Sequence, residues 1–124
     1  MNHQIVLIED DLFIKQMYSN KIEEMQISVL SVLNQDDLQT TLENNPIDLI
    51  LLDLILPNIS GFDILKWLKL ESQFKAVPVI VLSNLSSQAD INQAFELEVV
   101  DYIVKSNYTP AEVLRTIKKH LPKT

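Results

Sequence analysis

Cysteine is absent from the 124 residues and glycine occurs once. Without a thiol there is no disulfide framework, no thiolate metal site and no cysteine nucleophile. Average usage would give a chain of this length about nine glycines. A glycine-rich phosphate loop and a G-x-G-x-x-G dinucleotide turn each need several, so neither can be built. Long apolar runs are missing too. The run from Ile47 to Leu56 is interrupted by Asp48 and Asp53, and it falls far short of the roughly 20 residues of a membrane span. Basic residues are few: ten Lys and Arg against seventeen Asp and Glu give a formal net charge of -7. Binding to a phosphate backbone depends on clustered Lys and Arg, so nucleic acid is not an expected direct partner. Met1 to Gln4 carry no charged segment leading into an apolar one, so no secretory signal is expected and a cytoplasmic protein is predicted.

What the chain does have is apolar content, 47% of its residues. A domain of this size buries roughly two thirds of the surface its unfolded chain exposes, enough for a core without crosslinks. Short β-branched or Leu-rich runs cover Ile5 to Ile8, Ile27 to Leu33, Asp48 to Leu52, Val77 to Leu82 and Val99 to Val104. Between them lie stretches of helical period. Ile14, Met17, Tyr18, Ile22 and Met25 mark one buried helix face, and Thr109 and Pro110 start a last helix through Val113, Leu114, Ile117 and Leu121. Gln35 to Glu43, Gly61 to Leu70 and Ser86 to Leu97 supply three more helices. Strict strand-helix alternation predicts a parallel sheet covered on both faces. With right-handed crossovers it becomes a flavodoxin-like, doubly wound α/β fold with five strands in the order 2-1-3-4-5 and five helices. Residues 1–124 are read as one domain with no output domain among them.

In open α/β sheets, ligands bind beyond the carboxyl ends of the strands, where the strand order reverses. The residues there are Glu9, Asp10 and Asp11 after the first run, Asp53 after the third, Ser83 and Asn84 after the fourth, and Lys105 after the fifth. Neighbouring strands lie about 4.8 Å apart. Acid, acid, hydroxyl and ammonium therefore line one edge. Carboxylates crowded in this way repel each other and raise at least one pKa. A divalent cation relieves the repulsion, and a half-filled, oxygen-only set suits Mg²⁺, which keeps waters and accepts a phosphate oxygen. No His or Cys stands at these strand ends to favour a transition metal. Asp11 reads equally well as a helix-start carboxylate, and Ser83 has a second reading as a helix cap. Gly61 is expected to serve backbone geometry ahead of the third helix, and Trp67, His3 and His120 are read as packing and surface residues.

Four segments at these strand ends together resemble the receiver domain of response regulators in two-component signalling. They are Ile8-Glu9-Asp10-Asp11, Leu51-Leu52-Asp53-Leu54-Ile55-Leu56-Pro57 through Gly61, Val81-Leu82-Ser83, and Asp101-Tyr102-Ile103-Val104-Lys105. The likeness covers essentially the whole chain. It implies that Asp53 is the phosphoacceptor and that Glu9 and Asp10 are its acidic pair. It also implies a Mg²⁺ ion held by Asp10, Asp53 and the backbone carbonyl of Ile55, with Glu9 reaching it through water. Lys105 and Ser83 would stabilise the phosphoryl group. Ser83 would move toward it while Tyr102 turns inward behind, which makes Gln88 to Phe95 and Tyr102 to Leu114 the output face. The implied partners are a histidine kinase or phosphotransfer protein, a downstream protein target, and a second copy of the chain on the face of the fourth helix, fifth strand and fifth helix. Such a module is not an enzyme; its chemistry is limited to its own phosphorylation and dephosphorylation.

The sequence departs from the family pattern at four places. Ser106 follows Lys105 where proline is usual and typically cis, and a cis bond without proline costs about 3 kcal/mol. Glu98 and Val99 replace a usual Gly-Ala pair, which predicts a differently shaped turn. Ser83 replaces the commoner Thr but keeps the hydroxyl. Asn84 stands where small residues are frequent and bears on access of water to an acyl phosphate. Two other functions fit parts of the pattern. A non-phosphorylated pseudo-receiver scaffold would have no reason to keep the acids and Lys105 together. A phosphatase of the haloacid-dehalogenase kind needs a general-acid Asp two residues after its nucleophile, and Ile55 stands there.

Overall fold

The computed structural model describes residues 3–123. Strands β1 (Gln4–Ile8), β2 (Ser28–Val32), β3 (Leu49–Leu52), β4 (Val79–Ser83) and β5 (Asp101–Val104) form one sheet in the order β2-β1-β3-β4-β5. All the pairings are parallel. Helices α1 (Leu12–Glu23), α2 (Gln35–Asn44), α3 (Gly61–Lys66), α4 (Gln88–Glu96) and α5 (Pro110–His120) connect them. The flavodoxin-like order and the five helices agree with the alternation in the sequence. None of the helices among the described residues is long and apolar enough to cross a membrane.

Side chains alternate along a strand, so each strand feeds two cores. Val6, Ile8, Ile50, Leu52, Val79 and Val81 pack under α2, α3 and α4 with Leu38, Ile64 and Ala94. Ile5, Leu7, Leu49, Leu51, Ile80, Leu82 and Ile103 pack under α1 and α5 with Tyr18, Ile22, Val113 and Ile117. The central strands have no polar side because helices cover both faces.

Each of α1 to α5 starts on a side-chain cap: Asp11, Asn34, Ser60, Ser87 and Thr109 accept from backbone N–H groups of the first turn. Thr109 and Glu112 complete a reciprocal capping box on α5. Ser87, not Ser83, caps α4, so the second reading of Ser83 fails. Ser83 is the last residue of β4, one beyond the apolar run. The third helix continues past Lys66 to Glu71 on a widened turn, in which Ser72 N–H donates to the Trp67 carbonyl five residues back, at 2.8 Å. The Ser72 hydroxyl donates to Leu68 at 2.7 Å and takes up the carbonyl that the widening frees.

The turn between α4 and β5 corrects the expectation raised by Glu98. Glu98 N–H donates to Phe95 and Val99 N–H to Ala94, the hydrogen-bond pair of a Schellman ending. Its shape is the ordinary glycine-type one, adopted by Glu98 with φ 65. Val99 is part of this ending, so β5 begins at Asp101 rather than Val99. Gln26, φ 63, ends α1 in the same conformation.

The lone glycine takes no positive φ. A Cβ at Gly61 would sit 2.4 Å from both the Asp53 carbonyl oxygen and the Leu54 Cα. Gly61 N–H also donates to the Leu54 carbonyl at 3.0 Å. The glycine lets α3 start against the backbone of the strand-end aspartate, a requirement of space and not of dihedral angle.

Urea unfolding should separate these two uses of backbone. Gly61→Ala should cost about 1–3 kcal/mol, because backbone and not a flexible side chain must move. Glu98→Gly should gain about 1 kcal/mol by removing a left-handed non-glycine residue. Equal and small changes at both positions would contradict this assignment.

Candidate functional site

The parallel register sets the level of the strand ends. Ile8 pairs with Leu52 and Leu52 with Val81, while Ser83 pairs with Val104. The ladder runs one residue further where Asp53 N–H donates to the Ile8 carbonyl at 3.0 Å. Glu9 and Asp53 then follow Leu7 and Leu51 at a spacing of two, on the α1 and α5 side of the sheet. Lys105 follows Ile103 in the same way. Period two therefore puts these three residues on the same side of the sheet.

They meet there. Glu9 is 2% exposed and Asp53 5%. The Lys105 Nζ donates to Asp53 Oδ2 at 3.0 Å and to Glu9 Oε1. The second oxygen of each acid is held by a main-chain donor. Glu9 Oε2 accepts from Asp11 N–H at 3.2 Å, and Asp53 Oδ1 from Ile55 N–H at 3.0 Å. Burial pushes the Glu9 carboxyl above the usual carboxylate range, against the lowering effect of its hydrogen bond from Lys105. Burial also pulls the Lys105 ammonium down, but the hydrogen bonds to Glu9 and Asp53 outweigh it and hold the pKa above its usual value.

Asp10 is exposed at the rim. Glu9, Asp10 and Asp53 each offer a carboxylate oxygen, all within 4.8 Å of one another. With Lys105 the group carries three negative charges and one positive, a formal net of minus two. That donor set fits a hard divalent cation: it is all oxygen, incomplete, and short of two positive charges. The acids open onto a cleft of about 310 Å³ whose walls include Ile55, Pro57, Asn84 and Lys105.

The same alternation sends Ser83 and Tyr102 elsewhere. Ser83 is fully buried, Tyr102 is 7% exposed, and neither lines the cleft. Both act on Leu85. Ser83 Oγ accepts from Leu85 N–H at 3.3 Å, and the Tyr102 hydroxyl donates to the Leu85 carbonyl at 2.7 Å. Tyr102 is thus turned inward in this structure. Asp11 is the α1 cap, accepting from Ile14 N–H at 3.0 Å, while its own N–H holds Glu9. His120 pairs with Asp101 at 3.1 Å and His3 with Asp48 at 3.5 Å, both away from the cleft. The Lys105–Ser106 bond is trans, as are the peptide bonds of the other described residues.

One contact was not legible in the sequence. Asn84 Oδ1 accepts from Ser106 N–H at 3.0 Å and ties together the loops that follow β4 and β5. Both positions stand out as departures from the family pattern, yet nothing in their spacing says that they touch.

The model of the response regulator receiver domain matches residues 5–118. The transcriptional regulatory protein GltR of Pseudomonas aeruginosa is 30% identical over 114 residues, which are 92% of this chain and 47% of that protein. The phosphate regulon transcriptional regulatory protein PhoB of Escherichia coli is 31% identical over 118 residues, 95% of this chain and 51% of the relative. The chain thus spans about half the length of these curated relatives. Among solved structures, the chemotaxis protein CheY4 of Vibrio cholerae superposes with TM-score 0.86 at 21% identity, covering 98% of this chain and 100% of the other. The BeF3-activated N-terminal receiver domain of Klebsiella pneumoniae RstA gives 0.85 at 26% identity, with 98% and 100% covered. With the fold, the acidic cleft and a family match over almost its full length, the chain belongs to the response regulator receiver domain family.

Proposed function

We propose that this chain is a phosphoacceptor switch in which Asp53 takes a phosphoryl group from the phosphohistidine of a histidine kinase or phosphotransfer protein. The observation that carries the reading is the bridge from Lys105 to Asp53 and Glu9 at the base of the acidic cleft. An Asp53 oxygen attacks phosphorus in line; the new P–O bond forms as the P–N bond to the donor imidazole breaks, and that imidazole then takes up a proton. Transfer of this kind depends mainly on positioning and on charge at the phosphoryl oxygens. The hydrogen bond from Ile55 N–H fixes the attacking carboxylate, and the Lys105 ammonium offers positive charge to the incoming group. Mg²⁺ would be held by Asp10, Asp53 and the Ile55 carbonyl, with Glu9 acting through water, and when bound it supplies further positive charge to the phosphoryl oxygens.

An acyl phosphate at Asp53 competes with Glu9 for the Lys105 ammonium and gives Ser83 a new acceptor. Since Ser83 and Tyr102 hold the two ends of the Leu85 residue, a shift of Ser83 is passed to the loop entering α4 and to the inward ring of Tyr102. The output face is then Gln88 to Phe95 and Tyr102 to Leu114, used by a downstream protein target or a second copy of the chain. Its setting is the cytoplasm. The module signals and does not turn over an external substrate.

Incubation with acetyl phosphate and Mg²⁺, followed by intact mass measurement, should show one added phosphoryl group that Asp53→Asn abolishes. Amide resonances of the output face should move in the same sample. No adduct would leave the scaffold reading, an adduct without amide changes would refute the switch, and continuous phosphate release would mark a phosphatase.

Stability should also report on Lys105. In Lys105→Met the buried Glu9 loses its counter-ion, a loss of about 3–5 kcal/mol near neutral pH. Its raised pKa rises further, so the folded variant favours protonated Glu9. That contribution is fully present below the ordinary carboxylate pKa and is lost as pH rises through the folded value. The stability gap to the parent should therefore narrow on going from about pH 8 to about pH 5. A gap that is constant or that widens toward acid would contradict the bridge.

A further inference from the structure

The tie between Asn84 and Ser106 crosses 22 residues of chain and joins the two loops that flank the cleft. Ser106 directly follows Lys105, so the bond fixes the peptide on the far side of the lysine. Lys105 ends on an ammonium that must reach two buried carboxylates at once. A four-carbon stem has many rotamers, and its tip is located only if its Cα is located. On the near side, β5 supplies that anchor through its pairing with β4. On the far side, the short turn Lys105–Asn107 is closed by Tyr108 N–H donating to the Lys105 carbonyl at a long 3.4 Å. The Asn84 bond is the shorter of the two. It exists because residue 106 is not proline and keeps an N–H, and because residue 84 carries an acceptor.

Asn84 is exposed, packs into neither core, and lines both the acidic cleft and an adjoining one of about 350 Å³ that Met17, Tyr18 and Tyr108 share. Its side chain therefore has no packing role that would explain its place.

We propose that Asn84 is a positioning residue for phosphoryl transfer, holding Ser106 so that the Lys105 ammonium stays between Glu9 and Asp53. This rests on the phosphoacceptor reading above. Asn84 does not touch phosphorus; it acts through the lysine.

The test compares the parent, Asn84→Ala, Ser106→Ala, Lys105→Met and the double variant N84A/K105M. It reads the rate of acyl-phosphate formation from acetyl phosphate by intact mass, and the exchange rate of the Ser106 amide by NMR. Asn84→Ala should form the adduct about fivefold more slowly, as expected for one lost hydrogen bond, and its Ser106 amide should exchange faster. Ser106→Ala keeps the N–H and should match the parent in both readouts. In the Lys105→Met background, removing Asn84 should have no further effect on rate, since the group it positions is gone. Asn84→Ala at the parental rate, or a slowing of equal size with and without Lys105, would overturn the positioning role while leaving the phosphoacceptor reading intact. A parent that takes up no phosphoryl group would overturn both.

Discussion

One ammonium between two buried carboxylates is the interaction on which the rest of the site depends. Glu9 and Asp53 stand on adjacent strands at nearly the same level, at 2% and 5% exposure. Two such acids would repel each other strongly without a cation between them. Lys105 reaches them from the end of β5, two strands beyond β3. The bridge still leaves the cluster short of positive charge once Asp10 is counted. That deficit suits a hard divalent cation, and in the proposed function a phosphoryl group would bring negative charge for the same cations to share. Structure and chemistry thus draw on a single charge imbalance.

Strand alternation divides the strand-end residues into two sets with different duties. Glu9, Asp53 and Lys105 face α1 and α5 and make the cleft, while Ser83 and Tyr102 face α4 and meet on Leu85. The loop from β4 to α4 lies between the sets. It contains Asn84, which reaches across to Ser106, and Leu85, which the hydroxyls of Ser83 and Tyr102 hold at both ends. In the proposed switch, a change at Asp53 would reach the α4 surface through this loop.

The strand order and the acidic cluster were legible because each rests on a periodic or short-range rule. Continuous apolar runs mark strands buried on both faces, and strand ends follow from where those runs stop. The side on which Ser83 and Tyr102 lie was also implicit in the alternation, but grouping residues by strand end alone hides it. Three features were not legible. The space requirement of Gly61 depends on how closely α3 approaches Asp53, a tertiary distance. The turn at Glu98 keeps the shape that glycine would favour, because the Schellman hydrogen bonds and the packing of Val99 outweigh a local preference of about 1 kcal/mol. The contact of Asn84 with Ser106 joins two loops whose sequences carry no pairing signal.

Charge deficit in the cleft is the central claim, and thermal unfolding in Mg²⁺ tests it most directly. Mg²⁺ at millimolar concentration should raise Tm along a saturating curve, as expected for a ligand that binds the folded state alone. NaCl of matched ionic strength should not reproduce the rise. Asp10→Asn, at an exposed position whose loss leaves the core intact, should abolish most of it. A Tm that responds equally to Mg²⁺ and matched NaCl, or a Mg²⁺ response unchanged in Asp10→Asn, would contradict the account.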